Sequence, residues 1–275
     1  MGMKESVELA PDGTVAETLT VQATPAWPAE SALARAVLLQ AVLKRTIDVL
    51  LSAIMLAALL PIIALVALAI RIESRGPVLY PVERVGRGGR SFRMLKFRKM
   101  QSHSGGLRLT TRNDVRFTRV GAFLARSKLD ELPQLLNVLR GDMSLIGPRP
   151  EDAGFVVRRQ ADYDIILQVR PGITGLAQVA FAEESRILSV EDPLGHYLHG
   201  IFPQKCTLDQ LYVRSVGVWT DMRILFWTSI TVLFKVPVAV HRSTGRMSLR
   251  RRRAGISAPR RGGSNAEHEP RAGTL

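Results

Sequence analysis

One stretch of the chain has no polar relief, and the rest is broken into short amphipathic pieces. From Val49 to Ile70 there are 22 residues without a charge, ~33 Å as a straight helix and long enough for a bilayer core. It starts too late for a cleavable signal, and Arg71-Ile72-Glu73 is no small-residue cleavage site. The pattern predicts a membrane protein. Pro61 lies near the middle of the stretch, where it removes a backbone hydrogen bond and clashes with the preceding turn. If it breaks the helix, the pieces 49–60 and 62–70 are ~18 Å and ~14 Å long, each too short to cross. A hairpin dipping into one leaflet is then expected. A kinked, continuous span is the alternative, since membrane helices tolerate proline. Lys44 and Arg45 before the stretch, and Arg71 and Arg75 after it, lack the asymmetry of a simple span.

Around this segment the periodicities change. Residues 1–30 are polar and acidic with three prolines, and are expected to be disordered; 31–43 has the composition of a lead-in helix along the membrane surface. Residues 76–100 predict short strands around a Gly-rich turn at 86–89 (GRGG), and 102–116 a polar loop. A short helix is expected over 118–126. A second is expected over 129–139, with Leu132, Leu135, Leu136 and Leu139 on one face and Gly141 as its stop. Residues 152–216 mix strand and helix signals, punctuated by Pro171-Gly172. Residues 218–240 carry Trp219 and Trp227 among apolar neighbours, but also Asp221, Arg223 and Lys235, a composition for lying at the membrane interface. The expected division is an acidic tail (1–30), a membrane segment with its lead-in (31–75), a cytoplasmic domain (76–240) and a disordered Arg-rich tail (241–275). The fold class is α+β, mostly helical, with one β-hairpin.

Charge sharpens the picture. The net charge is +14; residues 1–40 carry −3 and residues 241–275 carry +7, which leaves +10 on 41–240. The structured part is therefore basic in its own right, suited to anionic lipid, phosphorylated substrates or nucleic acid. A nucleic-acid binder calls for aromatic residues interleaved with the basic ones; aromatics are 6% here and not so arranged, so that partner is set aside. A lone cysteine, Cys206, excludes an internal disulfide and suits a reducing compartment.

The candidate chemistry centres on DELPQLLNVLRGDMSLIGPRPE, residues 130–151. Asp130 and Glu131 open the apolar helix. One reading is a helix cap, with Ser127-x-x-Asp130 at capping-box spacing and Glu131 solvated. The other is a site: a first helical turn favours negative charge, a hard cation gathers adjacent carboxylates, and Pro133 opens the turn. Arg149, between Pro148 and Pro150, projects from extended backbone with a planar fork that suits phosphate oxygens. Arg170, before Pro171, repeats the device. Lys96 and Arg98 alternate with Leu95 and Phe97 and so share a strand face. Each of these cations, taken singly, also reads as a solvated surface residue. There is no P-loop and no dinucleotide-binding glycine spacing. A G-x-S-x-G elbow is missing too, and the histidines are too scattered for a zinc site.

The order of these blocks carries more than any one of them. KRTIDVLLSAIMLAALLPIIALVALAI, then GPVLYPVERVGRGGRSFRMLKFRKM, then LDELPQLLNVLRGDMSLIGPRPE, then RPGITGLAQV resembles the bacterial sugar transferase family over about residues 41–236. These are the monotopic polyprenol-phosphate phosphoglycosyl transferases, here in the short, exopolysaccharide-initiating form. The resemblance implies transfer of a sugar 1-phosphate from a UDP-sugar, a hexose favoured, to undecaprenyl phosphate with release of UMP. It implies Asp130 as nucleophile, giving a covalent phosphosugar intermediate, and Glu131 with Asp130 holding Mg²⁺. Lys96, Arg98, Arg149 and Arg170 would bind phosphates. It also implies a re-entrant helix broken at Pro61, and a catalytic domain on the cytoplasmic face of the inner membrane. Downstream glycosyltransferases would consume the product, and self-association is open. The rival without catalysis is a membrane-anchored scaffold for polysaccharide assembly.

Overall fold

In the computed structural model, residues 28–101, 114–182, 184–188 and 192–249 are described, with the short segments 8–9 and 15–16. The chain divides into two compact units, Met1–Lys44 and Arg45–Leu275. In the first, β1 (Glu8–Leu9) pairs antiparallel with β2 (Val15–Ala16) inside the stretch expected to be disordered. Residues 28–30 of that stretch are helical; the rest of it, the loop-like 102–113 and the arginine run at 250–253 lie outside the described residues.

Helix α1 runs Pro28–Glu73, 46 residues, and joins the expected lead-in and the apolar segment in one element. It is the one described helix long and apolar enough to cross a membrane. Helical backbone continues through Pro61, so the expected division into two pieces there is not present. A single missing N–H is tolerated in so apolar a helix. From Asp48 onward one stripe faces the rest of the protein. Asp48, Ser52, Val66 and Ile70 are buried, and Met55 and Ile63 are partly buried between them. All six fall on one side of a 3.6-residue helix. Leu50, Ile54, Leu65 and Leu68 on other sides are exposed.

The expected hairpin forms from β3 (Leu79–Val85) and β4 (Ser91–Phe97), with Tyr80 opposite Lys96 and Val85 opposite Ser91. Helix α2 (Arg119–Ser127) is capped by the Thr118 hydroxyl, which accepts from Gly121 N at 2.9 Å. The helix expected over 129–139 is two elements instead. Leu129–Glu131 is a 3₁₀ turn entered through left-handed Lys128, and α3 spans Gln134–Arg140. Pro133 explains the split, because it cannot donate and so sits where a regular helix begins. Ser127 does not cap that helix; its hydroxyl turns back to Phe123 O. Gly141, at φ 92°, ends α3 as expected.

Next come β5 (Ser144–Ile146), α4 (Ala153–Arg158), α5 (Gln160–Ile166), β6 (Gly172–Thr174) and α6 (Leu176–Ala180). Strands β5 and β6 pair in parallel, Ser144 with Gly172 and Ile146 with Thr174. Their backbones then cross so closely that a Cβ on Gly172 would lie 2.1 Å from Gly147 N. The remainder is mostly helical: α7 (Glu184–Ile187), α8 (Pro193–His196), a π-turn at Tyr197–Ile201, α9 (Phe202–Arg214) and α10 (Val218–Phe234). A last hairpin, β7 (Val238–Val240) with β8 (Met247–Leu249), runs through the boundary expected at 240. Val238 is buried and Met247 packs on the same core, so the ordered chain extends past that boundary.

Two of the three buried clusters position the site. One joins Met94 of β4 to Leu135 and Val138 of α3, Leu145 of β5 and Ile224 of α10. The other joins Phe97, Leu124 of α2, and Val66 and Ile70 of α1. Strand β4 thus contributes to both clusters, Met94 to one and Phe97 to the other. A third cluster, with Tyr163, Tyr197 and Phe202, lies around α5 and α9.

Candidate active site

Asp130 and Glu131 sit in the 3₁₀ turn ahead of α3, and their side chains are 3% and 15% exposed. They diverge to separate cations. Asp130 Oδ2 accepts from Lys99 Nζ at 3.2 Å. Glu131 Oε1 accepts from Lys96 Nζ at 3.3 Å and from an Arg149 terminal nitrogen at 2.7 Å. Asp130 Oδ1 and Glu131 Oε2 have no hydrogen-bond partner among the described residues.

The charges act on one another strongly. Burial pushes the Glu131 pKa up, but Arg149 and Lys96 outweigh it and hold the carboxyl well below the usual range. Glu131 raises the Arg149 guanidinium above its ordinary value, against burial. Burial brings Lys96 down to about 8; Glu131 opposes this, and Arg149 and Lys99 add to it. Two carboxylates among three cations leave a local excess of positive charge, which favours phosphate oxygens.

Three local devices assemble this ring. The buried Asn137 side chain in α3 accepts from Leu95 N and donates to Arg93 O, which fixes the dyad's helix against the strand bearing Lys96. The β5–β6 pair and the Gly147–Gly172 crossing hold the loop that presents Arg149, with Gly172 N donating to Pro148 O at 2.8 Å. The first turn of α2 presses on Lys99, whose carbonyl accepts from Thr118 N at 3.1 Å.

Of the four expected phosphate-binding residues, the structure brings Lys96 and Arg149 to the dyad. Arg98 goes elsewhere: beyond the end of β4 it is buried and donates to Arg75 O and to Ser74 O and Oγ, clamping the exit of α1. Arg170 also departs. Its Nε donates to Gly141 O, at the far end of α3 from the dyad. Burial, then Arg45 and Arg87, lower its pKa. Pro61 is exposed on α1.

Lys99 is the site residue that sequence reasoning missed. Strand alternation pointed to Lys96 and Arg98, but β4 ends at Phe97, so the period-two rule stops before it reaches Lys99. Also unforeseen is a polar cluster beside Arg149. Glu151 Oε1 accepts from Lys205 Nζ and Tyr197 OH, both at 3.1 Å, and Lys205 pairs with Glu184 at 3.3 Å.

Among the described residues no group of three or more His, Cys, Asp or Glu is placed to hold a metal ion. Magnesium does not require one, since it is commonly bound through one or two carboxylates, water and substrate phosphates. The unpartnered oxygens of Asp130 and Glu131 fit that pattern.

Comparison with known proteins agrees with the order of these parts. An undecaprenyl-phosphate glucose phosphotransferase of Komagataeibacter xylinus is 40% identical over 194 residues, covering 67% of this chain and 35% of that protein. A UDP-N-acetylgalactosamine-undecaprenyl-phosphate N-acetylgalactosaminephosphotransferase of Aeromonas hydrophila is 38% identical, covering 70% and 44%. A UDP-glucose:undecaprenyl-phosphate glucose-1-phosphate transferase of Caulobacter vibrioides is 40% identical and covers 69% of each chain. The chain thus spans about a third of the first relative and less than half of the second. The profile of the family described as bacterial sugar transferase matches residues 39–235, the stretch that holds the apolar helix, the dyad and the Arg149 loop. The chain belongs to the bacterial sugar transferase family.

Proposed function

We propose that this chain transfers a sugar 1-phosphate from a UDP-hexose to undecaprenyl phosphate, in two steps through Asp130. The observation that carries the reading is the buried Asp130–Glu131 turn ringed by Lys96, Lys99 and Arg149. In the first step an Asp130 carboxylate oxygen forms a bond to the phosphorus bearing the sugar. The bond from that phosphorus to the bridging oxygen breaks, and UMP departs with the electron pair. In the second step an oxygen of the polyprenol phosphate attacks the same phosphorus and Asp130 is regenerated. Splitting the transfer lets a soluble nucleotide and a lipid use one nucleophile in turn. Lys96 and Arg149 bind phosphate oxygens and hold Glu131 ionised. Glu131 Oε2, with the Asp130 carboxylate, would hold Mg²⁺, which neutralises charge on the transferring phosphoryl group.

A re-entrant membrane helix supports this chemistry. At the start of the charge-free stretch, Arg45 donates to Val138 O and Leu139 O, and Asp48 accepts from Leu145 N. At its end, Glu73 accepts from Val120 N and Arg98 holds the Ser74 and Arg75 carbonyls. Both ends are tied to one body that bears the charged site, and such a body does not enter hydrocarbon. The segment would therefore enter and leave by the same face, changing direction at Pro61 within one continuous helix and not through a break in it. The exposed Trp219, Phe226 and Leu233 of α10, spaced along one helix face, would rest in the same interface. On this reading the site lies at the headgroup level of the cytoplasmic leaflet, within reach of a lipid phosphate. Relatives named for glucose and for N-acetylgalactosamine keep the donor at the level of a UDP-hexose, with glucose first.

The test mixes detergent-solubilised protein with undecaprenyl phosphate, Mg²⁺ and a panel of UDP-sugars, and identifies the nucleotide released. UMP that requires the lipid phosphate and disappears in Asp130→Asn is the expected result. UDP release, or full turnover in Asp130→Asn, would sink the reading. A folded, membrane-inserted protein that releases nothing from any donor points to the scaffold instead.

A further inference from the structure

We propose that Lys99 is the positioning residue of the nucleophile: its ammonium holds Oδ2 of Asp130 so that Oδ1 faces the phosphorus under attack. The proposal rests on Asp130 being that nucleophile. An aspartate side chain has a broad, nearly two-fold torsion about its last bond, so its oxygens exchange unless something distinguishes them. Lys99 does so. It is the one described residue that bonds the Asp130 carboxylate, and it bonds a single oxygen, Oδ2, at 3.2 Å. Lys96 and Arg149 are engaged on Glu131 Oε1, and neither bonds Asp130.

A lysine steers another group only if it is itself held. The Lys99 carbonyl accepts from Thr118 N at 3.1 Å, and the next residue, Met100, bridges to Phe117. Helix α2 approaches so closely that a Cβ on Gly121 would lie 1.9 Å from Lys99 O, so only glycine permits the contact. The ammonium stands 5.8 Å from the centre of the Phe117 ring, within range of a cation–π attraction. The backbone is thus held by the start of α2, and the ammonium lies over Phe117, just ahead of that helix, on what is otherwise a flexible chain. When the Oδ1–phosphorus bond forms and UMP leaves with its electron pair, the carboxylate loses its charge. The ammonium is then free to face the phosphoryl oxygens, and no proton need move.

The test is a single-turnover experiment on the full chain in detergent, with UDP-glucose and Mg²⁺ but no polyprenol phosphate. It follows the burst of UMP and the mass of the covalent adduct on Asp130, and measures donor affinity separately by titration calorimetry. Lys99→Met is expected to slow adduct formation ~10²-fold while donor affinity stays within ~3-fold, as for loss of a positioning contact. Lys99→Arg, which keeps the charge, should recover ~10-fold or more of that loss. If Lys99→Met melts below the assay temperature, Lys99→Arg is compared with Lys99→Gln, and the arginine should be the faster. A Lys99→Met burst within ~3-fold of wild type, or arginine no better than the neutral variants, overturns the proposal. Those results differ from failure of the proposed function itself, in which the wild-type protein gives neither burst nor adduct.

Discussion

Asn137 Oδ1 accepts from Leu95 N at 2.9 Å while its Nδ2 donates to Arg93 O at 2.8 Å. One buried amide therefore occupies the free edge of β4 and fixes α3 against it. The spacing between Lys96 and Glu131 depends on that join. Asn137→Leu keeps the branched outline but leaves the Leu95 N–H and the Arg93 carbonyl without this partner. It should cost about 3 kcal/mol and lower the melting temperature by ~6–10 °C for a domain of this size. Donor binding should weaken in parallel. A melting curve that does not move would show that the edge finds other partners.

Lys96 supplies a pH dependence. Burial lowers its pKa to about 8, whereas in the unfolded chain it would keep its proton to ~10.4. Between those values the unfolded state binds more protons, so the Lys96 contribution to stability rises with pH. The ammonium contact to Glu131 behaves oppositely and is present only below about 8. Donor affinity should therefore fall as pH rises through that value while the fold does not weaken. Lys96→Arg keeps its charge and should flatten the limb in KM; an unchanged limb would assign the titration to another group.

Gly172→Ala puts a methyl group 2.1 Å from Gly147 N and 2.6 Å from Gly147 Cα, backbone atoms that cannot swing aside. The β5–β6 pair would open and the Arg149 loop would lose its support. The expected cost is about 3 kcal/mol or more, at the upper end of overpacking, with activity lost together with thermal stability. Normal melting and normal turnover would mean that the crossing relaxes without consequence.

The membrane path is tested by placing single cysteines at the two ends of the charge-free stretch, Thr46→Cys and Pro77→Cys, with the buried Cys206 replaced by alanine. Both should be protected from an impermeant maleimide added to intact cells, and both should react once the inner membrane is opened. Labelling of position 46 alone from outside would make α1 a span, and the arrangement tying Arg45 and Asp48 to the catalytic domain would then have to come apart in the membrane.

Elements whose cause is local were legible in the sequence. The charge-free run from Val49, the Gly-rich turn of the β3–β4 hairpin and the stop at Gly141 each depend on a few neighbouring residues. So did the family, because the order of motifs is itself sequence. Of the site, Asp130, Glu131, Lys96 and Arg149 were named from local chemistry and are brought together. What the tertiary structure alone decided was the destination of each long cationic side chain. Arg98 and Arg170 carry the same guanidinium as Arg149, yet they clamp the α1 exit and the α3 end. Lys99, one residue past Arg98, reaches Asp130. Arginine and lysine span several rotatable bonds and take whichever carbonyl or carboxylate lies nearest in space. That choice is made by contacts across 29 to 31 positions of chain in the cases of Arg170 and Lys99, beyond the reach of any local period. The helix through Pro61 followed the same logic: the proline's own preference was readable, but packing at Asp48, Ser52, Val66 and Ile70 on both sides of it decided the path.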